Sequence, residues 1–288
     1  MEYLVHIATL VTIFAILGLG LNLVVGYTGL VSSGHAAFYG IGAYATAIWV
    51  TTYHGNFFVS LVIGIIVALI SSFVVGLILS RFKDDFYVLG SIGLNIIVLS
   101  VFLNWTDLTH GPLGIPGIAR PNLLGLTFQS NYEFLFLALI ILLLVYLLTN
   151  GVVQSSFGRV LKAIREDEKA ISVFGYRTQY YKLVVFMIGA ATAAVAGSLV
   201  ASYITYIDPT SFALNESILI LAIVILGGLA SLRGSLLGAL FLILLPEALR
   251  FVGFPNDIAA QMRQVVYGLL LVILMLYRPQ GLIGEYKL

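Results

Sequence analysis

The sequence of 288 residues contains no cysteine and very few charges. The lack of cysteine excludes disulfides and thiolate metal sites. Charged residues make up 9% of the chain, whereas soluble domains carry about 25%. No glycine is followed by lysine, so the Walker A motif of nucleotide-binding ATPases is absent, as is the HExxH pattern of zinc enzymes. The sequence therefore predicts neither an enzyme nor a cofactor bound to this chain.

Apolar residues predominate in the composition. They make up 60% of the chain, and the mean hydropathy is +1.07. A spanning helix needs about 20 apolar residues, and we predict an all-α, polytopic membrane protein of eight or nine transmembrane helices. Residues 1–288 form one transmembrane domain in this interpretation. The predicted segments are 5–25, 35–51, 57–80, 86–104, 134–153, 183–205, 216–232, 235–253 and 258–277, of which the second, seventh and eighth are short.

The few basic residues predict an orientation. If residues 150–182 are cytoplasmic, alternation of the segments places eleven of the 14 Lys and Arg residues inside and three outside (Arg120, Arg250 and Arg263). Cytoplasmic loops of membrane proteins carry this excess of basic residues. We therefore expect the N-terminus outside, the C-terminus in the cytoplasm, and the proline-rich loop 105–131 on the outer surface. A net charge of +1 gives no indication of a nucleic-acid partner.

Most of the charge is concentrated in one stretch, residues 156–182, which holds six of the basic residues and three acids. Apolar residues recur there at helical spacing, which predicts a short amphipathic helix from about Arg159 to Phe174. Ser156 is a candidate cap for its start, and Gly175 is suited to the left-handed turn that ends a helix. The alternative is an ordinary charged loop that only fixes the topology.

A second unusual stretch, residues 18–45, combines glycines with polar residues at membrane depth. Irregular backbone at that depth is tolerated only inside the protein or along a cavity. We expect a break around Gly26–Gly34 and a new helix from about His35. The candidate residues of a translocation path are Asn22, Tyr27, Ser32, Ser33 and His35. The alternative is helix packing in which these polar groups are satisfied locally.

Five motifs in order resemble one family over nearly the whole chain. They are GLNLVVGYTGLVSSGHAAFYGIGAYATA, GRVLKAIREDEKAISVFGY, YKLVVFMIGAATAAVAGSLVASY, VILGGLASLRGSLLGA and the closing YRPQGLIG. Together they resemble the LivM-type permeases of branched-chain amino-acid ABC importers. The resemblance implies the ABC importer permease fold, a location in the cytoplasmic (inner) membrane and transport of branched-chain (or other small hydrophobic) amino acids.

The resemblance also implies partners. It implies a second, LivH-type permease, two cytoplasmic ATPases that bind ATP and Mg, and an external solute-binding protein, all around a chain embedded in the lipid bilayer. Glu168, Ala170 and Gly175 match the coupling-loop signature of ABC permeases, although Lys169 replaces an alanine of the strict pattern. The implied coupling loop covers about residues 154–182. Its candidate ATPase-coupling residues are Arg159, Leu161, Ile164, Arg165, Glu166, Asp167, Glu168, Ala170, Ile171 and Gly175.

Other transport functions remain open at this point. Permeases for urea or short amides share the same motifs. An ion-coupled secondary transporter would have ion sites at broken helices, and a passive channel would conduct alone. The sequence has no ladder of membrane-embedded carboxylates that would indicate a proton relay.

Overall fold

A computed structural model describes residues 2–82, 84–123, 126–128 and 130–250, together with positions 265, 268, 269, 272, 276, 277, 280–284 and 286. The described residues are mostly helical, which confirms the all-α prediction. The helices are α1 (Glu2–Thr28), α2 (His35–Thr52), α3 (Phe57–Leu79), α4 (Asp84–Asn104), α5 (Thr106–Thr109), α6 (Asn131–Gln154), α7 (Ser156–Val173), α8 (Thr178–Ile204), α9 (Leu214–Gly227) and α10 (Leu232–Arg250).

The helices correspond closely to the predicted apolar segments. Eight of the nine segments coincide with α1, α2, α3, α4, α6, α8, α9 and α10, and their ends agree within a few residues. The ninth, 258–277, lies largely outside the described residues. Five helices in the described ranges are long and apolar enough to cross a membrane, namely α1, α3, α4, α6 and α8.

Within the described residues, four short strands lie at one end of the molecule. Strand β1 (Ile115–Pro116) pairs antiparallel with β4 (Tyr206–Ile207), and β2 (Asn122–Leu123) pairs with β3 (Leu126–Thr127). The first pairing joins the loop between α4 and α6 to the segment that follows α8. Both segments are predicted to be external, and the structure places them at the same end.

Helix α8 lies at the centre of the bundle, where it packs against α1, α2 and α3. Small residues allow the close approach of α2 to α8. A Cβ atom at Gly197 would overlap the carbonyl oxygen of Tyr39, and one at Gly42 would overlap that of Ala194. Most of α1 and α8 is buried, whereas α3, α4 and α6 expose apolar side chains outward. Those outer faces suit contact with lipid tails.

At the opposite end of the molecule lie α7, the end of α1, the turn between α9 and α10, and residues 282–284 and 286. The backbone N–H groups of Leu282 and Ile283 donate to the carbonyls of Leu226 and Gly227 at 2.9 and 3.0 Å. The Arg165 guanidinium lies 4.3 Å from the centre of the Tyr286 ring. These segments are the ones that the charge pattern assigns to a single side of the membrane.

Candidate functional site: the α7 surface and the break between α1 and α2

The cap of helix α7 lies one residue before the predicted cap. Ser155, not Ser156, is the cap, since its hydroxyl accepts a hydrogen bond from the Gly158 N–H at 3.3 Å. The helix is also interrupted, because Asp167 has φ −154° and ψ 97°. The Asp167 carboxylate accepts a hydrogen bond from the Ala170 N–H at 3.0 Å and so caps the short helix that follows. The predicted helix from Arg159 to Phe174 is therefore present, but as two pieces.

The apolar residues of α7 divide between the interior and the surface. Leu161 and Ile164 are buried against the other helices, whereas Ile171 is half-buried. Val173 and Phe174 are 85% and 78% exposed. Gly175 follows with φ +87° and open space around its Cα, which confirms the left-handed turn predicted there. Val173 and Phe174 therefore form an exposed apolar tip at the end of α7, just before the chain turns toward α8.

The charged residues of α7 divide in the same way. Arg165 donates to the carbonyl oxygen of Val25 at 3.2 Å and to that of Gly26, both in the last turn of α1. Carbonyls at a helix C-terminus lack intrahelical partners and favour a cation. Burial lowers the pKa of the Arg165 guanidinium, whereas Tyr286 and Glu166 act to raise it, and the group remains a cation at neutral pH.

Glu168 connects α7 to α8. Its carboxylate lies 2.6 Å from Lys182 Nζ and accepts a hydrogen bond from the Thr178 hydroxyl at 3.0 Å. Arg165 and Glu168 thus hold α7 to α1 and α8, whereas Arg159, Glu166 and Asp167 are exposed and Ala170 is half-buried. Two of the predicted coupling residues therefore fix α7 to the bundle, and the tip and the exposed charges face outward.

The break between α1 and α2 is shorter than predicted. Gly26 and Tyr27 still belong to α1, which ends at Thr28, and the non-helical residues begin at Gly29 with φ +76°. Helix α2 begins at His35, as predicted, and the His35 ring lies beside the backbone of Leu17. Leu17 is eleven residues before the end of α1, about 16 Å along the helix axis. The segment between α1 and α2 therefore runs back into the bundle before α2 begins.

Polar side chains from two other helices, α4 and α9, meet the start of α2. The Ser33 N–H donates to the Ser91 hydroxyl of α4 at 2.9 Å, and the Ala36 N–H donates to the Ser217 hydroxyl of α9 at 3.0 Å. Asn95 lies one helical turn beyond Ser91 on the same face of α4. Within the described residues, neither its amide nitrogen and oxygen nor His35 Nε2 has a hydrogen-bond partner, although all three atoms are buried.

Buried polar atoms are normally paired, with protein or with water. The region around Ser33, His35 and Asn95 therefore has unused capacity to bind a polar solute or water. Sequence reasoning missed Ser91, Asn95 and Ser217. Each is a single polar residue in an apolar segment, a signal that becomes specific only once the fold brings the three together.

The predicted path residues separate into two groups. Ser32, Ser33 and His35 lie together at the break and are all buried in the isolated chain. Tyr27 lies toward α7, where Lys162 Nζ is 5.6 Å from its ring centre.

Asn22 has a different environment. Its amide nitrogen donates to the carbonyls of Gly228 and Ser231 at 3.3 and 2.9 Å and to the Ser235 hydroxyl at 2.6 Å, and its oxygen accepts from the Ala230 N–H at 3.0 Å. The side chain of Asn22 thereby fastens α1 to the turn between α9 and α10. The role of all five residues in a path stays a prediction.

A cleft of about 510 Å³ connects the two features. Thr28 to Val31 form one wall, Asp85 and Val88 of α4 another, and residues 164–169 of α7 the third. A movement of α7 would therefore change the cleft that leads to the break. Among the residues that the structure describes, no group of three His, Asp or Glu side chains is placed to hold a metal ion.

Comparisons with known proteins agree on one family. The sequence model of the family described as "Branched-chain amino acid transport system / permease component" matches residues 3–275. The chain is 36% identical over 302 residues to the high-affinity branched-chain amino acid transport system permease protein LivM of Escherichia coli (strain K12), covering 97% of this chain and 69% of that protein.

Two more distant relatives cover both chains almost fully. The probable branched-chain amino acid transport permease protein LivM of Methanocaldococcus jannaschii is 27% identical, covering 95% of this chain and 91% of its own length. The permease protein LivH of Salmonella typhimurium is 26% identical, with 96% and 93% covered. No solved structure matches. The chain, a multi-pass helical membrane protein, therefore belongs to the family of permease components of branched-chain amino acid transport systems.

Proposed function

We propose that this chain is one permease subunit of an ABC importer that moves branched-chain amino acids into the cytoplasm, with ATP and Mg bound by separate ATPase subunits. The observation that carries the proposal is the position of α7, which joins an exposed apolar tip to two internal anchors. Val173 and Phe174 project from it, while Arg165 holds it to α1 and Glu168 holds it to α8.

This arrangement would allow α7 to transmit a movement of the ATPase to the membrane helices. Buried apolar anchors supply most of the affinity of an interface, and charges around them tune its specificity. The tip would fill a groove on the ATPase, and the exposed Arg159, Glu166 and Asp167 would set the register. A displacement of α7 would then act through Arg165 on the end of α1, next to the break that leads to α2.

Other surfaces suit the remaining partners. A second, LivH-type permease would cover part of the apolar outer face of the bundle, and lipid would cover the rest. The end that carries β1 and β4 would receive an external solute-binding protein. In this orientation the N-terminus is outside, and α7 and the C-terminus are cytoplasmic. A topology reporter inserted after Lys162 should be cytoplasmic and one near Gly117 external, and the reverse pattern would reject the orientation.

Reconstitution tests the function directly. The chain should be co-expressed with its partner permease and ATPases, placed in proteoliposomes with the binding protein, and assayed for uptake of labelled leucine and of labelled urea. We expect leucine uptake that requires ATP and all partners, and little urea uptake. Uptake without ATP, driven by an ion gradient, would favour a secondary transporter. Uptake of urea in preference to leucine would favour the amide-permease alternative.

A further inference from the structure

A separate cavity of about 190 Å³ lies at the end of the molecule opposite α7. Residues of α1, α2 and α8 form its walls, and β4 and the first turn of α9 cover it. Pockets for drug-sized ligands enclose about 300–1,000 Å³. This cavity is therefore suited to a smaller solute, in a position that the charge pattern assigns to the outer side.

One acidic side chain, Glu216, stands against these otherwise uncharged walls. It belongs to the first turn of α9 and is half-buried. In the part of the chain that the structure describes, no Lys, Arg or His lines the cavity, and the Glu216 carboxylate has no ion-pair or hydrogen-bond partner. Removing a carboxylate from water without a partner is costly, so a cation in the cavity would offset that cost.

The walls around Glu216 are apolar and aromatic. Leu10 and Phe14 of α1 face Val200 of α8 across the cavity. The rings of Tyr39 and Phe212 meet edge to face at 5.2 Å, which holds both in place beside the carboxylate.

We propose that this cavity binds a branched aliphatic amino acid, with its ammonium group on Glu216 and its side chain among Leu10, Phe14 and Val200. The solute's own carboxylate points away from Glu216, toward the mouth of the cavity.

The cavity lies next to the polar region at the start of α2. Ser217, the residue after Glu216, accepts the hydrogen bond from the Ala36 N–H. Tyr39 lies one helical turn beyond Ala36 and lines the cavity. A solute released from Glu216 therefore enters beside His35. This inference rests on the proposed function, because it places an entry site at the outer end of the same translocation path.

Protection of an introduced thiol tests the site. The chain has no cysteine, and Ile204 lines the cavity while being 51% exposed, so Ile204→Cys gives one reactive group. Labelling by a small hydrophilic maleimide is measured on the assembled complex without the binding protein. We expect leucine to slow the labelling, and 2-hydroxy-4-methylpentanoate, in which a hydroxyl replaces the ammonium group, to have no effect. Leu113→Cys, 81% exposed at the same end and outside the cavity, should label equally with or without leucine.

The carboxylate is then removed. Adding Glu216→Gln to Ile204→Cys should raise the leucine concentration for half-protection by about tenfold or more, since the ammonium group would lose its charged hydrogen-bond partner. Adding Asp107→Asn, which removes an exposed carboxylate at the same end, should leave it unchanged. Transport without protection, or equal protection in Glu216→Gln, would overturn the site. Protection in a complete complex that does not transport leucine would keep the site and overturn the proposed function.

Discussion

Lys182 and Glu168 form an ion pair of 2.6 Å that joins α8 to α7. The Lys182 side chain is only 3% exposed, whereas that of Glu168 is 24% exposed. Removing one partner of a buried pair leaves an uncompensated charge, which typically costs about 3–5 kcal/mol. Because the lysine is the more deeply buried partner, the loss of Glu168 should be more harmful than the loss of Lys182.

We therefore predict that Glu168→Gln lowers the thermal stability of the purified complex more than Lys182→Met does. The double variant should be more stable than Glu168→Gln alone, because no buried ammonium group remains unpaired. Thermal unfolding of the three variants in the same detergent provides the measurement. Strictly additive effects would show that the two side chains do not interact. In proteoliposomes, Glu168→Gln should also reduce the leucine transported per ATP hydrolysed, because α7 would follow α8 less closely.

The contact between α2 and α8 leads to a second prediction. A Cβ atom at Gly197 would overlap the backbone of Tyr39 and Ala43, whereas one at Gly151 in α6 meets nothing within 4 Å. Overpacking typically costs about 1–3 kcal/mol. Gly197→Ala should therefore lower thermal stability and yield of the assembled complex, while Gly151→Ala should leave both unchanged or slightly raise them. Equal behaviour of the two variants would mean that α2 and α8 are not packed this closely.

Accessibility at the break provides a third prediction. Ser32 and Ser33 are 2% and 7% exposed in the isolated chain, so a cysteine at either position should react slowly with hydrophilic thiol reagents in the resting complex. If the break lines the path, nucleotide or solute should accelerate the reaction at Ser33→Cys. Ser72→Cys in α3, equally buried and hydrogen-bonded within its own helix, is the matched control. Inertness of Ser33→Cys in every state would favour the packing alternative.

The sequence predicts those features whose cause is local. Apolar runs predict the positions of the helices. The glycines and polar residues before His35 predict the start of α2, and Gly175 itself predicts the left-handed turn after α7. The break within α7 was not predicted, because an aspartate inside a charged helix and one that caps a new helix give the same pattern. The partners of Asn22 lie 206 to 213 residues away, and only the packing of α1 on α10 brings them together. Asn95 and Ser217 are recognisable for the same reason only in the fold.

The apolar tip of α7 leads to the last prediction. Ile171 is one of the predicted ATPase-coupling residues, but it is half-buried in the structure, while Phe174 is 78% exposed. Ile171→Asp should therefore impair the folding of α7 as well as ATPase binding, and Phe174→Ser should affect binding alone. Loss of a central aromatic anchor typically costs about 2 kcal/mol or more, which is roughly a thirtyfold loss of affinity. Phe86→Ser removes a phenylalanine that is 71% exposed at the start of α4, at the same end of the molecule, and should have little effect.

The measurement is titration of purified ATPase onto permease complexes in nanodiscs, with thermal stability recorded for each variant. Equal affinities for the Phe174 and Phe86 variants would place the ATPase contact elsewhere and leave α7 as a stretch that only sets the topology.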